Sequence, residues 1–454
     1  MNKKVKIKIH NNVWSSVKDH LSRELLYPCL SYEKEYWKQE KYGKKRHTYR
    51  KCLIGHNGYF LSGHLTRVIN YCNRNDIEIE WEGALDSIDT DRFPYLNGIT
   101  FREDQMNMML SSIAEQRGVI KCPTGSGKTL LILGIMSCFP DKRILFLCHL
   151  KEIFDQTIEA LGRYGFKDIG VIGDKEFKIG ENIWVAIVNS YHNYYTKEEV
   201  NKNNWDIIIV DECHHISGTD RMYYDILTYH NAPMRLGFTA TYPKKEEEIF
   251  ALEGCLGELI GEVTVKEGIE SGFLSKPKVK IISVPVDPSL RPLSYKTAYQ
   301  EGIVNNKIRN RLIADTAKKI NTEGKTVLVV VKEIEHGNNI IKEMEKIGLS
   351  ALYVNGQDGR KRDEKREIRH AFDRKEIMTV VATCVWKEGV NIPNLDCVLL
   401  AAGGRKVEQQ IGRGFRKTKT KDEFLIIDLF DNSNKSFVSQ FGERIAFYCE
   451  MEWL

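Results

Sequence analysis

The stretch Cys122-Pro-Thr-Gly-Ser-Gly-Lys-Thr129 lies between an apolar run and a helix-like run, Leu130-Leu-Ile-Leu-Gly-Ile-Met136. That is the strand–loop–helix setting of a phosphate-binding loop. Gly125 and Gly127 let the backbone curl, so that N–H groups along Thr124–Thr129 point inward at phosphate oxygens. Ser126 sits between the two glycines. Lys128 adds a point charge for β- and γ-phosphates, and the Thr129 hydroxyl can ligate Mg²⁺. The following helix aims its positive end at the same place. Cys122 stands where the pattern usually has its first glycine; a small residue fits there because the tight turns come later.

Two further constellations complete the chemistry. In Ile207-Ile-Ile-Val-Asp-Glu-Cys-His-His215 an apolar strand ends in adjacent carboxylates. Asp211 can hold Mg²⁺, and Glu212 can orient and deprotonate an attacking water. Cys213, His214 and His215 lack the spacing of a tetrahedral zinc site. Gln409-Gln-Ile-Gly-Arg-Gly-Phe-Arg416 lies far downstream, in a different structural unit. Arg413 and Arg416, three apart, share one face of a helix, and two guanidinium groups suit a γ-phosphate during transfer. The combination points to ATP and Mg²⁺ as ligands.

The elements that must position these groups follow from pattern. The chain of 454 residues is 42% hydrophobic and 28% charged, which suits about three globular domains. Its net charge is only +5, but residues 1–80 hold 16 Lys and Arg against 8 Asp and Glu. Bulk attraction to nucleic acid is therefore concentrated at the N-terminus. Eleven scattered cysteines without a C-x-x-C pair suit a reducing cytoplasm, with Cys148 and Cys397 reading as small core residues. No apolar run approaches the length of a membrane span, so no membrane partner is expected.

Residues 1–92 read as a small basic α+β accessory domain. It has an alternating strand at Lys3–Ile9, a charged helical stretch over Ser31–Tyr42 and a basic cluster at Lys44–Lys51. A polar linker, Asp86–Asp91, follows. Residues 93–283 alternate strand and helix, with strands at Val119–Cys122, Arg143–Cys148, Ile183–Val188, Ile207–Val210 and Arg235–Phe238. Residues 284–309 read as a connector. A second alternation, 310–454, has strands at Thr326–Val331, Ala351–Val354, Thr379–Ala382, Cys397–Ala401 and Glu423–Asp428. The expected class is α/β: two tandem parallel-sheet domains after the basic one, RecA-like as the resemblance given next implies.

From about residue 98 to 430 the chain resembles superfamily 2 helicases of the DExH kind. Thr124–Thr129 resembles motif I and Asp211-Glu-Cys-His214 motif II. Thr239-Ala-Thr241 resembles motif III, Val381–Pro393 motif V and Gln409–Arg416 motif VI. The resemblance implies that Gln105 reads adenine and that Thr239, Thr241 and Gln409 couple hydrolysis to movement. It also places Gly389 at the nucleotide; motif V has Asn391 where many relatives have Asp. Asn355–Arg360, Glu333–Gly337 and Tyr299–Asn306 with Arg309-Asn310 are similar to phage branch-migration helicases of the UvsW type.

That resemblance implies branched or forked DNA as partner, with RNA in R-loops, in recombination, repair and replication in a host cytoplasm. It implies strand contacts at Lys151, Asn189, Lys332 and Thr383. Trp386 could stack on a base or simply pack. In the basic domain, Lys44, Lys45, Arg46, Arg50 and Lys51 are the expected phosphate contacts. An RNA helicase and an ATP-gated clamp that hydrolyses without separating strands remain the alternatives.

Overall fold

Short apolar runs become buried strands when both faces of a parallel sheet are covered by helices. The computed structural model describes residues 3–40, 43–197, 200, 205–216, 221–357, 359–360, 362–383, 392, 394–404 and 423–454. The chain divides into two compact units, Met1–Pro123 with Gly127–Val263 and Thr124–Ser126 with Thr264–Leu454.

The N-terminal strands are β1 (Lys4–Ile9), β2 (Trp14–Ser16), β3 (Ser31–Glu40), β4 (Gly43–Cys52), β5 (Tyr59–Leu61) and β6 (Glu78–Glu82). The large sheet of the first unit is built from β7 (Arg117–Lys121), β8 (Ile144–Cys148), β9 (Gly170–Gly173), β10 (Glu176–Lys178), β11 (Ile183–Ile187), β12 (Ile207–Asp211), β13 (Met234–Thr239) and β14 (Leu259–Glu262). Its order is β10-β9-β11-β8-β12-β13-β7-β14, parallel except for β10. After β7 the chain crosses to β8, and β12 and β13 later fill the places between. The loops after β7, β12 and β13 therefore open side by side at one edge, where α/β sheets bind ligands. Register fixes this: Thr239 lies beside Lys121, and Asp211 beside Phe238. The core below holds Val119, Leu145, Ile208 and Val210, with Trp184 packed edge-on against Trp205.

The second unit carries β15 (Lys276–Ser283), β16 (Val327–Val330), β17 (Leu352–Val354), β18 (Thr379–Ala382), β19 (Cys397–Leu400) and β20 (Glu423–Phe430). All are parallel, in the order β15-β20-β19-β16-β18-β17. Two parallel α/β sheets after a small α+β region match the expected class. The boundary differs. β15 pairs along its whole length with β20, so the division falls after Val263 rather than after 283. The segment expected as a connector is also packed: Ala298, Tyr299, Ile303 and Val304 bury themselves with Phe437.

Of three N-terminal expectations, one holds and two are corrected. The alternating start is a strand, β1, within the sheet β5-β2-β1-β6. The charged stretch after Ser31 is not a helix: it is β3, paired antiparallel with β4 as a separate hairpin that contains the basic cluster. Nor is 86–91 a loose linker. Asn12 Nδ2 donates to Asp86 Oδ2 at 2.9 Å, and the Ile88 amide donates to Gln116 Oε1 at 2.9 Å. Thr90 Oγ1 donates to the Cys138 carbonyl at 2.7 Å.

The N-terminal region is seated on the helix Glu246–Leu256. Arg67 forks onto Glu253, with Nε donating to Oε2 at 2.8 Å and Nη2 to Oε1 at 2.8 Å. The Arg67 guanidinium also covers the Phe250 ring at 4.4 Å. Tyr32 stacks on the same ring, 5.4 Å between centroids. Backbones touch as well: a Cβ at Gly63 would overlap the Glu253 carbonyl, and one at Gly254 would sit 2.8 Å from His64 Nε2.

Arg67→Ala should destabilise the protein by roughly 3 kcal/mol near pH 8, because it strands a buried carboxylate. Burial pushes Glu253 up, and Arg67 pulls it only part of the way back. Without Arg67 the folded state keeps a proton that the unfolded chain releases, so the deficit shrinks as pH falls from about 8 towards 5. Thermal melts of both proteins across that range test this; a pH-independent deficit would show that Glu253 reaches water.

Candidate nucleotide-binding and hydrolysis site

β7 delivers the phosphate loop. The Cys122 amide donates to the Thr239 carbonyl at 2.9 Å, extending the ladder one residue past β7. Cys122 is fully buried, so its position takes a small side chain and needs no glycine freedom. The turns come next: Gly125 and Gly127 have φ of +91° and +94°, where a Cβ is strained. Gly127 is also the N-cap of the helix Lys128–Ser137. A Cβ on it would sit 2.5 Å from Gln105 Nε2. The Gln105 amide thus lies against the loop, held on its other side by the Arg102 amide, which donates to Oε1 at 3.2 Å. Thr124 and Thr129 are exposed, whereas Ser126 is buried.

β12 delivers the carboxylates. Lys128 Nζ lies 2.9 Å from Asp211 Oδ1 and also pairs with Glu212 Oε1. One ammonium is shared between two acids, all three side chains being at most 16% exposed. Burial pushes Lys128 down, but Asp211 and Glu212 outweigh it and hold it charged above its ordinary range. Burial would raise Glu212; Lys128 and His214 overcome that and hold it well below the usual carboxylate range. Glu212 is therefore an anion beside a cation.

The link to β13 was not assigned from sequence. Glu212 has φ +48° and ψ +47°, the left-handed region, rare for a residue with a side chain. That kink ends β12 and starts the short turn Cys213–His215. His214 Nδ1 then lies 2.8 Å from Thr239 Oγ1 and 3.3 Å from Glu212 Oε2. Thr239 Oγ1 donates to the Thr241 carbonyl at 2.9 Å, which leaves it to accept from His214. Nδ1 accordingly carries the proton. A line runs from Lys128 through Glu212 and His214 to Thr239 and Thr241, across adjacent strands of one sheet. The sequence signal was the His two places after Glu212, at the end of the same apolar strand.

Other expected residues fall into four groups. Lys151 is 39% exposed and pairs with Asp174 at 2.5 Å; Asn189 is exposed on the short helix Val188–His192. In the second unit Lys332 covers the Tyr299 ring at 5.7 Å, while Thr383 is buried and its amide donates to the Val354 carbonyl at 3.2 Å. On β4, Lys45, Arg46, Arg50 and Lys51 are exposed, and the backbone of Lys44 pairs with Gln39. Gly389, Gln409, Arg413 and Arg416 lie outside the described residues, as do Trp386 and Asn391. The strand root just before motif VI is described: Arg444, paired with Asp428 at 2.7 Å, donates to the Gly404 carbonyl at 2.6 Å.

The residues behind the finer resemblance hold the second unit together. Gln300–Val304 forms a π-helical turn, which frees carbonyls. Asn310 Nδ2 and Asn339 Nδ2 both donate to the Val304 carbonyl at 3.0 Å. His336 Nε2 lies 3.1 Å from Asn310 Oδ1. Gly337 leaves room for the Tyr353 ring.

Two family models match this chain. The model described as "Type III restriction enzyme, res subunit" covers residues 98–244, and "Helicase conserved C-terminal domain" covers 307–418. The chain belongs to the superfamily 2 helicases. A putative helicase of a Sulfolobus islandicus filamentous virus is 24% identical over 387 residues, 78% of this chain and 68% of that protein. The DNA 3'-5' translocase XPB2 of Sulfurisphaera tokodaii is 25% identical over 404 residues, 79% of this chain and 87% of that protein. The crystal structure of T4 UvsW aligns over 98% of this chain and 97% of its own at 17% identity; its TM-score of 0.45 is too low to carry an argument.

Lys128→Ala should lower nucleotide turnover about 100-fold or more, since it removes the ammonium that would balance phosphate charge. Steady-state phosphate release measures it. Turnover within a few-fold of wild type would show that the phosphates are held elsewhere.

Proposed function

We propose that this chain is an ATP-driven DNA motor that remodels branched duplexes. The observation that carries the reading is the Lys128–Glu212–His214–Thr239 line beside a glycine-rich loop. Lys128 is placed to exchange its carboxylate partners for β- and γ-phosphate oxygens. Asp211 and Thr129 supply the hard oxygen donors that suit Mg²⁺, and Asp211 already has a cation at 2.9 Å. Magnesium, when bound, neutralises phosphate charge. Glu212, anionic and no longer shared with Lys128, accepts the proton of the attacking water. His214 transmits the change at Glu212 to Thr239 and Thr241. Arg413 and Arg416 are assigned to the charge that develops on the γ-phosphate, and Gln105 to adenine.

Branched DNA as substrate rests on the N-terminal charge excess and on the likeness to UvsW-type motifs. Recombination, repair and a phage-infected host cytoplasm belong to the same proposal. Every described cysteine is a free thiol, which suits that compartment. No helix among the described residues is long and apolar enough to cross a membrane. RNA is the second reading, because motors of this plan act on either nucleic acid.

Glu212→Gln should still bind nucleotide and DNA while turnover falls about 100-fold or more, since the amide keeps the shape but takes no proton. Wild-type protein should unwind forks and four-way junctions faster than plain duplexes of equal length at one salt concentration. Stronger stimulation of ATPase by RNA than by matched DNA would overturn the DNA reading. Strong stimulation with no strand separation on any substrate would favour the clamp.

A further inference from the structure

Strand alternation sorts the β3–β4 hairpin into two unlike faces, because directly paired residues project to the same side. One face carries the pairs Tyr32/Lys51, Lys34/Tyr49, Tyr36/His47 and Lys38/Lys45. The other carries Glu33/Arg50, Glu35/Thr48 and Trp37/Arg46. Both carboxylates between residues 32 and 38 fall on the second face, where Arg46 pairs with Glu35. Between Tyr32 and Lys38 the first face is only aromatic and basic. Its root is seated on the motor: Tyr32 stacks on Phe250, and Lys34 pairs with Glu247.

Towards the tip the same face is open. Tyr36 is 43% exposed and Tyr49 46%. Their rings meet edge-on at 5.7 Å, and Tyr36 stacks on His47 at 5.5 Å. Lys38 and Lys45 flank them and are exposed. Such rings left in water mark an interaction surface. Lysine is depleted in the cores of protein–protein interfaces, which argues against a protein partner. Aromatic rings flanked by cations suit bases and phosphates instead. Bases inside a duplex hide their faces, whereas unpaired ones offer them.

We propose that Tyr36, Tyr49 and His47 form a stacking platform for the unpaired bases of a single DNA strand, with Lys38 and Lys45 on its phosphates. This rests on the DNA reading above and deepens it: the hairpin would hold the single-stranded arm of a branch.

The test is binding of a fluorescein-labelled 20-nucleotide oligothymidylate to the full chain, without ATP, over a range of salt. Tyr36→Ala with Tyr49→Ala should weaken binding about tenfold or more and leave the salt slope unchanged. Tyr36→Phe with Tyr49→Phe should bind as wild type does, which also controls for folding. Lys38→Ala with Lys45→Ala should flatten the log–log slope by about 1.4. Blunt duplex of equal length should not respond to the tyrosine changes. Unchanged oligothymidylate affinity in the alanine pair, or an equal loss on duplex, would overturn the platform. Because no ATP is present, these outcomes stay separate from failure of the motor reading, which shows as absence of DNA-stimulated ATPase in the wild type.

Discussion

Everything at the candidate hydrolysis site depends on one largely buried ammonium. Two adjacent carboxylates at the end of β12, both largely out of water, repel each other and cost several kcal/mol unless a cation joins them. Lys128 is that cation. It arrives from a loop about eighty residues earlier in sequence, which is possible because β7 and β12 are separated by β13 alone. The strand order is therefore an electrostatic requirement as much as a packing solution. The same ammonium suits phosphate oxygens, so under the proposed function the groups that hold the loop at rest are those that a nucleotide would displace.

The second requirement is that displacement be felt elsewhere. Glu212 sits in a backbone conformation that few side-chain residues adopt. Such strain persists only where surroundings over-determine it. Here the surroundings are specific: Asp211 Oδ1 accepts from the Glu212 amide at 2.9 Å, and His214 sits against its carboxylate. The kink aims both Glu212 and His214 inward, towards Lys128 and Thr239. A straight continuation of β12 would instead send the adjacent side chains of Asp211 and Glu212 to opposite faces of the sheet.

Much of the site was legible because its chemistry is carried by residue types at fixed spacings. Most of the buried parallel strands were legible too, since each carries a short apolar run. Within the two large sheets four strands were not read: β9, β10, β14 and β15. Gly170–Gly173 is glycine-bounded and Lys276–Ser283 is lysine-rich with Pro277, an edge-strand composition that apolar counting passes over. The hairpin was misread for a related reason. Both its faces meet solvent towards the tip, so its period of two is written in aromatic and charged residues rather than in apolar against polar. The His214–Thr239 bond could not be read either, because it follows from the backbone kink at Glu212. Nor could the seat of the N-terminal region on Glu246–Leu256, which joins Arg67 to a residue 186 positions away.

That seat has a consequence for how the chain can be cut and recombined. Gly63 and Gly254 meet backbone to backbone, and Glu253 depends on Arg67 for its counter-charge. The basic region is thus not a cassette that could be exchanged at residue 92. A chimera joined there would pair a foreign surface with a helix shaped for this one, leaving a buried acid and a glycine notch unmatched. The portable fragment runs to Val263, where the first sheet ends and no strand pairing among the described residues crosses. Whatever specificity the N-terminal region confers, it travels with the helix behind Thr241 or not at all.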